Sequence, residues 1–364
     1  VCAVSPYLLR VASQYPEAVQ RLLQQGAILP DAPSPTCEAL LAEIQADWQS
    51  VLDKATVTPD SKQREAAQMQ LLRQFRHRQL FRILWNDLTE VAGLYRTLED
   101  LSILADACII VAEQWSHEEL AERFGEPLAA DGRVQRLIVL GMGKLGGYEL
   151  NVSSDIDLIY LFAEPGETSG RTPGKGVIDN SEFFRRLGQR LTRLLNNTTL
   201  DGFVYRVDTR LRPFGESGPL VMNLEGLENY YLTQARDWER YAMIKARAIT
   251  GLPQDIEDYQ ALVTPFVYRR YLDYNAFDSL RDLKSKIALS VRQKGLKDNI
   301  KLGAGGIREV EFIGQAFQLV RGGRDTRLRS RSIVAVLEQL AHQKLLEQAE
   351  VDGLLAAYAY LRDV

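Results

Sequence analysis

Histidine and cysteine are scarce in this chain, with three of each among 364 residues. Cys2, Cys37 and Cys108 lie far apart and form no CxxC pair, so neither a disulfide framework nor a cysteine zinc site is expected, and a reducing, cytoplasmic setting fits. His77, His117 and His342 all fall in stretches of helical texture. Chemistry built on a histidine base is therefore disfavoured, and carboxylates must carry any catalysis. No run of about 18 apolar residues occurs, and the first residues lack the basic start and apolar core of a secretion signal, so no membrane is expected as a partner. Positive charge is not in excess either: 44 Lys plus Arg against 48 Asp plus Glu leave a net charge of −4. That balance argues against a nucleic-acid partner held by counterion release. What remains is the composition of an ordinary globular protein, 46% hydrophobic and 25% charged, with length for two or three domains. The chain begins without Met and stops at Val364 inside a helical pattern, which reads as a fragment.

Three regions follow from texture. Residues 1–125 carry apolar residues at helical spacing, as in Leu71, Leu72, Phe75, Leu80, Phe81 and Leu84, broken by a loop at Pro30, Pro33 and Pro35. Residues 126–250 change character. Arg136–Leu140 and Ile156–Phe162 are short runs rich in branched residues and read as strands. The glycine-rich stretch Glu164–Asn180 is expected to be a mobile loop. Ser181–Asn197 gathers Phe183, Phe184, Leu187, Leu191, Leu194 and Leu195 on one helical face, with Asn180 or Ser181 as the N-cap. Phe203–Leu211 alternates with period two and reads as a further strand. Residues 251–364 return to helical texture and end as a truncated helical domain. The expected class is α+β, a small mixed sheet flanked by helical regions.

Gly141-Met-Gly143-Lys-Leu-Gly146 follows a strand and satisfies GxGxxG, which makes a dinucleotide-binding oxidoreductase one reading. Against it, Lys144–Asn151 offers only about eight residues for a crossover helix that needs ten or more. A phosphate-binding Walker loop fails because the residue after Lys144 is Leu. A tight turn that needs glycine only for its backbone freedom is the bland alternative.

Another reading includes what comes next, Asn151-Val-Ser-Ser-Asp155-Ile-Asp157. On a strand Asp155 and Asp157 share one side, roughly 6.6 Å apart, while Ile156 and Leu158 face the core. At an effective dielectric of 20 the two charges repel by roughly 2.5 kcal/mol, so such a pair suits a divalent cation. All-oxygen ligands favour Mg2+, with Mn2+ as the variant. Alternation along the later strand sets a third carboxylate, Asp208, beside Arg206, Arg210 and Arg212. Those arginines suit bidentate phosphate binding, and equally a solvated face with ion pairing.

GMGK, ten residues, then DID, with a third Asp on a later strand, resembles the polymerase-beta-like nucleotidyltransferase superfamily. More specifically, LGMGKLGGYELNVSSDIDLIY, DGFVYRVDTRLRPFGESGPLV, RDWERYAMIKAR and NIKLGAGGIREVEFIGQAFQLVRGGR resemble glutamine synthetase adenylyltransferase, over about residues 136–335. The resemblance implies a polymerase-beta-like domain, metal ligands at Asp155, Asp157 and Asp208, and substrate or phosphate contacts at Gly143, Lys144, Ser154, Arg206, Arg210, Arg212, Lys245 and Arg247. Lys144 stands where that superfamily usually has Ser, so an ammonium joins backbone N–H groups there. That family carries two such units in tandem, and RLRPFGESGPLV with NVSSDIDLI looks like the adenylyl-removing one. The implied reaction is phosphorolysis: inorganic phosphate takes AMP from an adenylylated tyrosine of glutamine synthetase and gives ADP. Adenylylation from ATP is the runner-up, and PII-type signal proteins are the implied regulators.

Two further features stay open on the residues alone. Gly303-Ala-Gly305-Gly306, ahead of a helix, suits an anion site or a close backbone contact. Trp238, with Tyr230, Tyr231 and Tyr241, suits packing or an adenine stack.

Overall fold

The computed structural model describes residues 5–55, 60–171, 176–269, 285, 299–301, 303 and 305–363. Helices open the chain where local chemistry starts them. Ser5 accepts from the Leu8 N–H at the head of α1 (Pro6–Gln14), α2 spans Pro16–Gln24, and Thr36 caps α3 (Cys37–Lys54). A capping box of Asp60 and Gln63 starts α4 (Ser61–Leu88). Helix α5 (Leu94–Phe124) runs until Gly125, whose φ of 79° turns the chain out of it. Among the described residues up to 125, the helical texture and the proline loop within it are thus observed.

Next come β1 (Ile138–Gly141), the single turn α6 (Gly143–Gly146), β2 (Ile156–Phe162), α7 (Asn180–Asn196), β3 (Val207–Asp208) and β4 (Val221–Asn223). After α8 (Leu224–Thr233) and α9 (Asp237–Met243), β5 (Arg247–Ala248) returns to the sheet. The sheet is mixed. β1 pairs antiparallel with β2 and β5, while β3 and β4 pair parallel with β2 in successive halves. Six apolar residues of α7 from Phe183 to Leu195 are fully buried, and with α5 they give the short strands a continuous core. Strands this short cannot bury a face by themselves.

That shared core is why the boundary expected at residue 125 does not separate compact units. One unit comprises residues 1–225 and 247–255; the other comprises 226–246 and 256–364. The second unit contains α9, α10 (Pro253–Val267) in its greater part, α11 (Ile307–Arg321), α12 (Ile333–His342) and α13 (Gln348–Asp363). Its core gathers Ile307, Val310, Leu328, Ile333, Val336, Leu337, Leu340, Val351 and Tyr358. Among the described residues no helix is long and apolar enough to cross a membrane.

Three local expectations need correction. The N-cap of α7 is Asp179, which accepts from the Ser181 N–H at 2.6 Å, while Asn180 turns inward and donates to the Leu128 carbonyl at 2.8 Å. The stretch read as a mobile loop is pinned at both ends: Leu128 N–H reaches Glu167 O, Thr168 N–H reaches Ile178 O and Ser169 N–H reaches Glu126 O. Residues 172–175 of it lie outside the described ones. The strand expected over 203–211 pairs only at Val207–Asp208. Asp208 ends it by accepting the Arg210 N–H at 2.8 Å, a side-chain turn that takes the place of the ladder.

Candidate active site

Asp155 and Asp157 straddle the first residue of β2. Ile156 and Leu158 are fully buried, Asp157 is half-buried and Asp155 exposed, the alternation expected of a strand with one wet side. β3 runs parallel beside it in a register that pairs Asp157 with Asp208. Two contacts fix that register: Ile156 N–H donates to Arg206 O at 2.9 Å, and Val207 N–H donates to Asn196 Oδ1 at the end of α7 at 3.1 Å. The glycine turn closes on the same place. Met142 N–H donates to Asp157 O at 2.9 Å, and a methyl group on Gly143, whose φ is +54°, would stand 3.9 Å from Asp157 Oδ2.

The two outer carboxylates carry guanidinium partners. Arg206 pairs with Asp155 and also donates to Ser153 O at 2.7 Å. Arg210 forks onto Asp208, its Nε lying 3.0 and 2.9 Å from the two oxygens, and this holds the Asp208 carboxyl below the usual carboxylate range. Both guanidiniums are well exposed, and exposed pairs contribute at most about 1 kcal/mol, so they release readily. Among the described residues no three His, Cys, Asp or Glu side chains form a ready-made metal cage. The donor set, three carboxylates at the ends of two bonded strands, nevertheless fits a hard divalent cation once the arginines let go.

The other expected contacts are placed differently. Lys144 Nζ donates to Asn151 Oδ1 at 2.8 Å, tying the turn to the segment before β2, and the N–H of half-buried Ser154 donates to Asn151 O at 3.1 Å. Nothing in the sequence singles out Asn151. Arg212 is spent on its own loop, donating to Thr209 O at 2.8 Å, Thr209 Oγ1 at 3.0 Å and Glu216 O at 3.2 Å. Lys245 belongs to the second unit and pairs there with Glu311 at 2.9 Å, both largely buried. Arg247 lies on β5, not on a helix, and grips Asp106 of α5 through two bonds of 2.8 and 2.9 Å. It also donates to Leu145 O at 3.0 Å and stands 3.9 Å over the Tyr148 ring, so it braces the glycine turn from behind. Burial raises the Asp106 pKa and Arg247 opposes that rise. Arg247→Ala should therefore destabilise the protein by about 3 kcal/mol, because it strands a buried carboxylate. Denaturant midpoints check this, with Asp106→Asn/Arg247→Ala expected to recover part of the loss; a cost below about 0.5 kcal/mol would show the pair idle.

Neither open feature of the second unit gains a ligand role. Gly305 N–H donates to Glu309 Oε2 at 3.0 Å, so the chain supplies its own anion, and a methyl on Gly306 would stand 2.6 Å from Ile300 O. Leu302 and Ala304 lie outside the described residues. Tyr230 donates to Glu239 at 2.6 Å, Tyr231 stacks on Phe266 at 4.2 Å and Tyr241 lies 5.9 Å from Phe312, which is packing; Trp238 is partly exposed. The dinucleotide reading of the glycine turn also falls. β1 and β2 are antiparallel, whereas that motif joins two parallel strands through a full crossover helix.

The sequence model of the glutamate-ammonia ligase adenylyltransferase family matches residues 1–262, and that of GlnD PII-uridylyltransferase matches residues 281–364. The chain is 49% identical over 362 residues to a bifunctional glutamine synthetase adenylyltransferase/adenylyl-removing enzyme of Thioalkalivibrio sulfidiphilus, covering all of this chain and 36% of that protein. Proteins of the same description from Pseudomonas aeruginosa and Shewanella woodyi are 55% and 52% identical over 292 and 294 residues, covering 80% and 81% of this chain and 29% and 30% of theirs. The chain thus spans about a third of the length of these relatives. The likeness starts at residue 1 and takes in the amino-terminal helices, a wider reach than the motifs alone had marked. Carboxylates in register on β2 and β3, the glycine turn against them and a family match over residues 1–262 agree: the chain belongs to the glutamate-ammonia ligase adenylyltransferase family.

Proposed function

We propose that the sheet of the first unit is a polymerase-beta-like nucleotidyltransferase domain that removes AMP from an adenylylated tyrosine of glutamine synthetase by phosphorolysis. The observation that carries the reading is the parallel register setting Asp157 beside Asp208, with the Gly143 turn against them and an arginine on each outer carboxylate. Asp155, Asp157 and Asp208 would hold Mg2+ or Mn2+, which supplies the positive charge that lets anionic reactants meet. Arg206 and Arg210, released from their carboxylates, would take the phosphate oxygens bidentately. Lys144 and the backbone around Gly143 would border the AMP phosphate. An oxygen of inorganic phosphate attacks the AMP phosphorus as the bond from that phosphorus to the tyrosyl oxygen breaks. The tyrosyl oxygen regains a proton, and the new bond makes ADP.

Two features favour phosphate over water as the attacker. The arginines offer a second anion seat. The described histidines of the first unit serve packing: His77 bonds Tyr7 at 2.9 Å and the Asp201 carbonyl at 2.9 Å, and His117 bonds Glu126 at 2.6 Å. The adenylyl-removing assignment rests on the resemblance of Arg210–Val221 to the first of the family's units. A PII-type signal protein as regulator is supported by the match of residues 281–364 to a family named for PII.

The test supplies adenylylated glutamine synthetase labelled in its AMP, with Mg2+ and phosphate, and identifies the released nucleotide. ADP whose release depends on phosphate is the expected product. AMP, or release equally fast without phosphate, overturns phosphorolysis. Dominant ATP-dependent labelling of unmodified glutamine synthetase would favour the adding reaction, which the family's name also describes.

A further inference from the structure

Among the described residues four non-glycine positions have positive φ, and two of them are aromatic: Tyr148 at 58° and Phe214 at 62°. Bulky side chains rarely adopt this region, and where they do the surrounding structure must hold them there. Tyr148 lies under the Arg247 guanidinium on the glycine turn. Phe214 lies on the loop that follows Asp208, and 50% of its surface is open to solvent.

The loop is built to hold Phe214 in place. Ser217 Oγ donates to Phe214 O at 2.8 Å, Gly215 N–H donates to Arg212 O at 2.8 Å, and the Arg212 guanidinium bonds carbonyls at both ends of the loop. Gly218 packs so tightly that an added methyl would stand 2.1 Å from Pro213 O and 2.9 Å from the Phe214 Cβ. The same loop borders the carboxylates. Arg210, which opens the loop, lays its Nε 3.0 and 2.9 Å from the two Asp208 oxygens. Gly215 itself sits against the Arg210 carbonyl, 3.7 Å from where a methyl would be. A rigid loop therefore offers a half-exposed ring a few residues from the guanidinium on Asp208.

We infer that Phe214 is the stacking platform for the adenine ring of the nucleotide handled at these carboxylates. The inference rests on the nucleotidyl-transfer reading above and adds to it a base subsite. A flat ring joined to a phosphate is the shared chemistry of two ligands here, the adenine of a nucleotide and the ring of a modified tyrosine. Adenine is the better fit. The tyrosyl oxygen is bonded to the phosphorus under attack, so its ring must lie next to the carboxylates, whereas a ribose separates adenine from the phosphate, and Phe214 stands further along the chain than the arginine on Asp208.

The test titrates ADP, inorganic phosphate and phenyl phosphate, each with Mg2+, into wild-type protein and into Phe214→Tyr, Phe214→Ala and Phe214→Gly. Base stacking on an aromatic predicts that Ala and Gly weaken ADP binding by about tenfold or more, while Tyr keeps it. Inorganic phosphate and phenyl phosphate should stay within about twofold. Gly suits the left-handed backbone, so its melting temperature should remain close to wild type, and lost binding is then not lost folding. ADP affinity unchanged in Ala and Gly overturns the inference, and so does a loss for phenyl phosphate equal to that for ADP. If wild-type protein binds no ADP at all, the nucleotidyl-transfer reading fails and the base subsite with it; if wild type binds and the variants bind equally, only the subsite fails.

Discussion

Asp157→Asn should lower nucleotide release by about three orders of magnitude, equivalent to ~4 kcal/mol of transition-state stabilisation, and leave the fold intact. Asp157 is the carboxylate that both the β3 register and the glycine turn converge on. Asn keeps the shape and one oxygen but removes the charge that would hold a divalent cation. Stability should hold or rise, since Asp157 is flanked in sequence and register by Asp155 and Asp208, and deleting one of three like charges relieves repulsion. At Asp155 and Asp208, Asn trades relief of repulsion against the ion pairs with Arg206 and Arg210 and comes out near zero. Single-turnover release from adenylylated glutamine synthetase, beside a thermal melt, checks both halves. Retention of more than about a tenth of wild-type activity would end the carboxylate mechanism.

Burial made β1, β2 and α7 legible, the two strands as short apolar runs and the helix by its period. Ile156–Phe162 and Phe183–Leu195 each show the residues that the core demands, and the structure buries them. The Asp pair was legible for the same reason, since Ile156 and Leu158 fix which side the carboxylates take. β4 and β5 were not legible, because three- and two-residue strands carry no period. The 203–211 strand misled because arginines and an aspartate spaced by two imitate alternation, while their real partners are local: Arg210 turns back to Asp208 and Arg212 to Thr209. Arg247 and Lys245 show a deeper limit. Sequence gives the charge of a side chain but not its partner, and their partners, Asp106 and Glu311, stand 141 and 66 residues away.

Arg73 gave no signal at all, since it lies amid helical residues of α4, yet its replacement by Met should cost about 4 kcal/mol. Its side chain is fully buried and makes four bonds to backbone carbonyls: Met69 O at 2.7 Å, Gly202 O at 2.8 Å, Leu194 O at 3.2 Å and Asn197 O. Leu194 and Asn197 stand at the end of α7, where carbonyls lack helical partners and the helix dipole favours a cation. Gly202 belongs to the turn that carries the chain from α7 toward β3. One guanidinium therefore closes the helix that covers the sheet and anchors the approach to Asp208. Met matches much of the volume but donates nothing, so the Leu194 and Asn197 carbonyls lose their donor, at roughly 1 to 3 kcal/mol each before relaxation, while the Gly202 carbonyl keeps the Thr199 N–H. Lys carries the charge on one nitrogen and cannot span four acceptors, so Arg73→Lys should recover only part of the loss. Denaturant unfolding of the three proteins gives the order wild type, Lys, Met. A Met variant within about 1 kcal/mol of wild type would mean that water reaches these carbonyls, and that Arg73 is a passenger in the core.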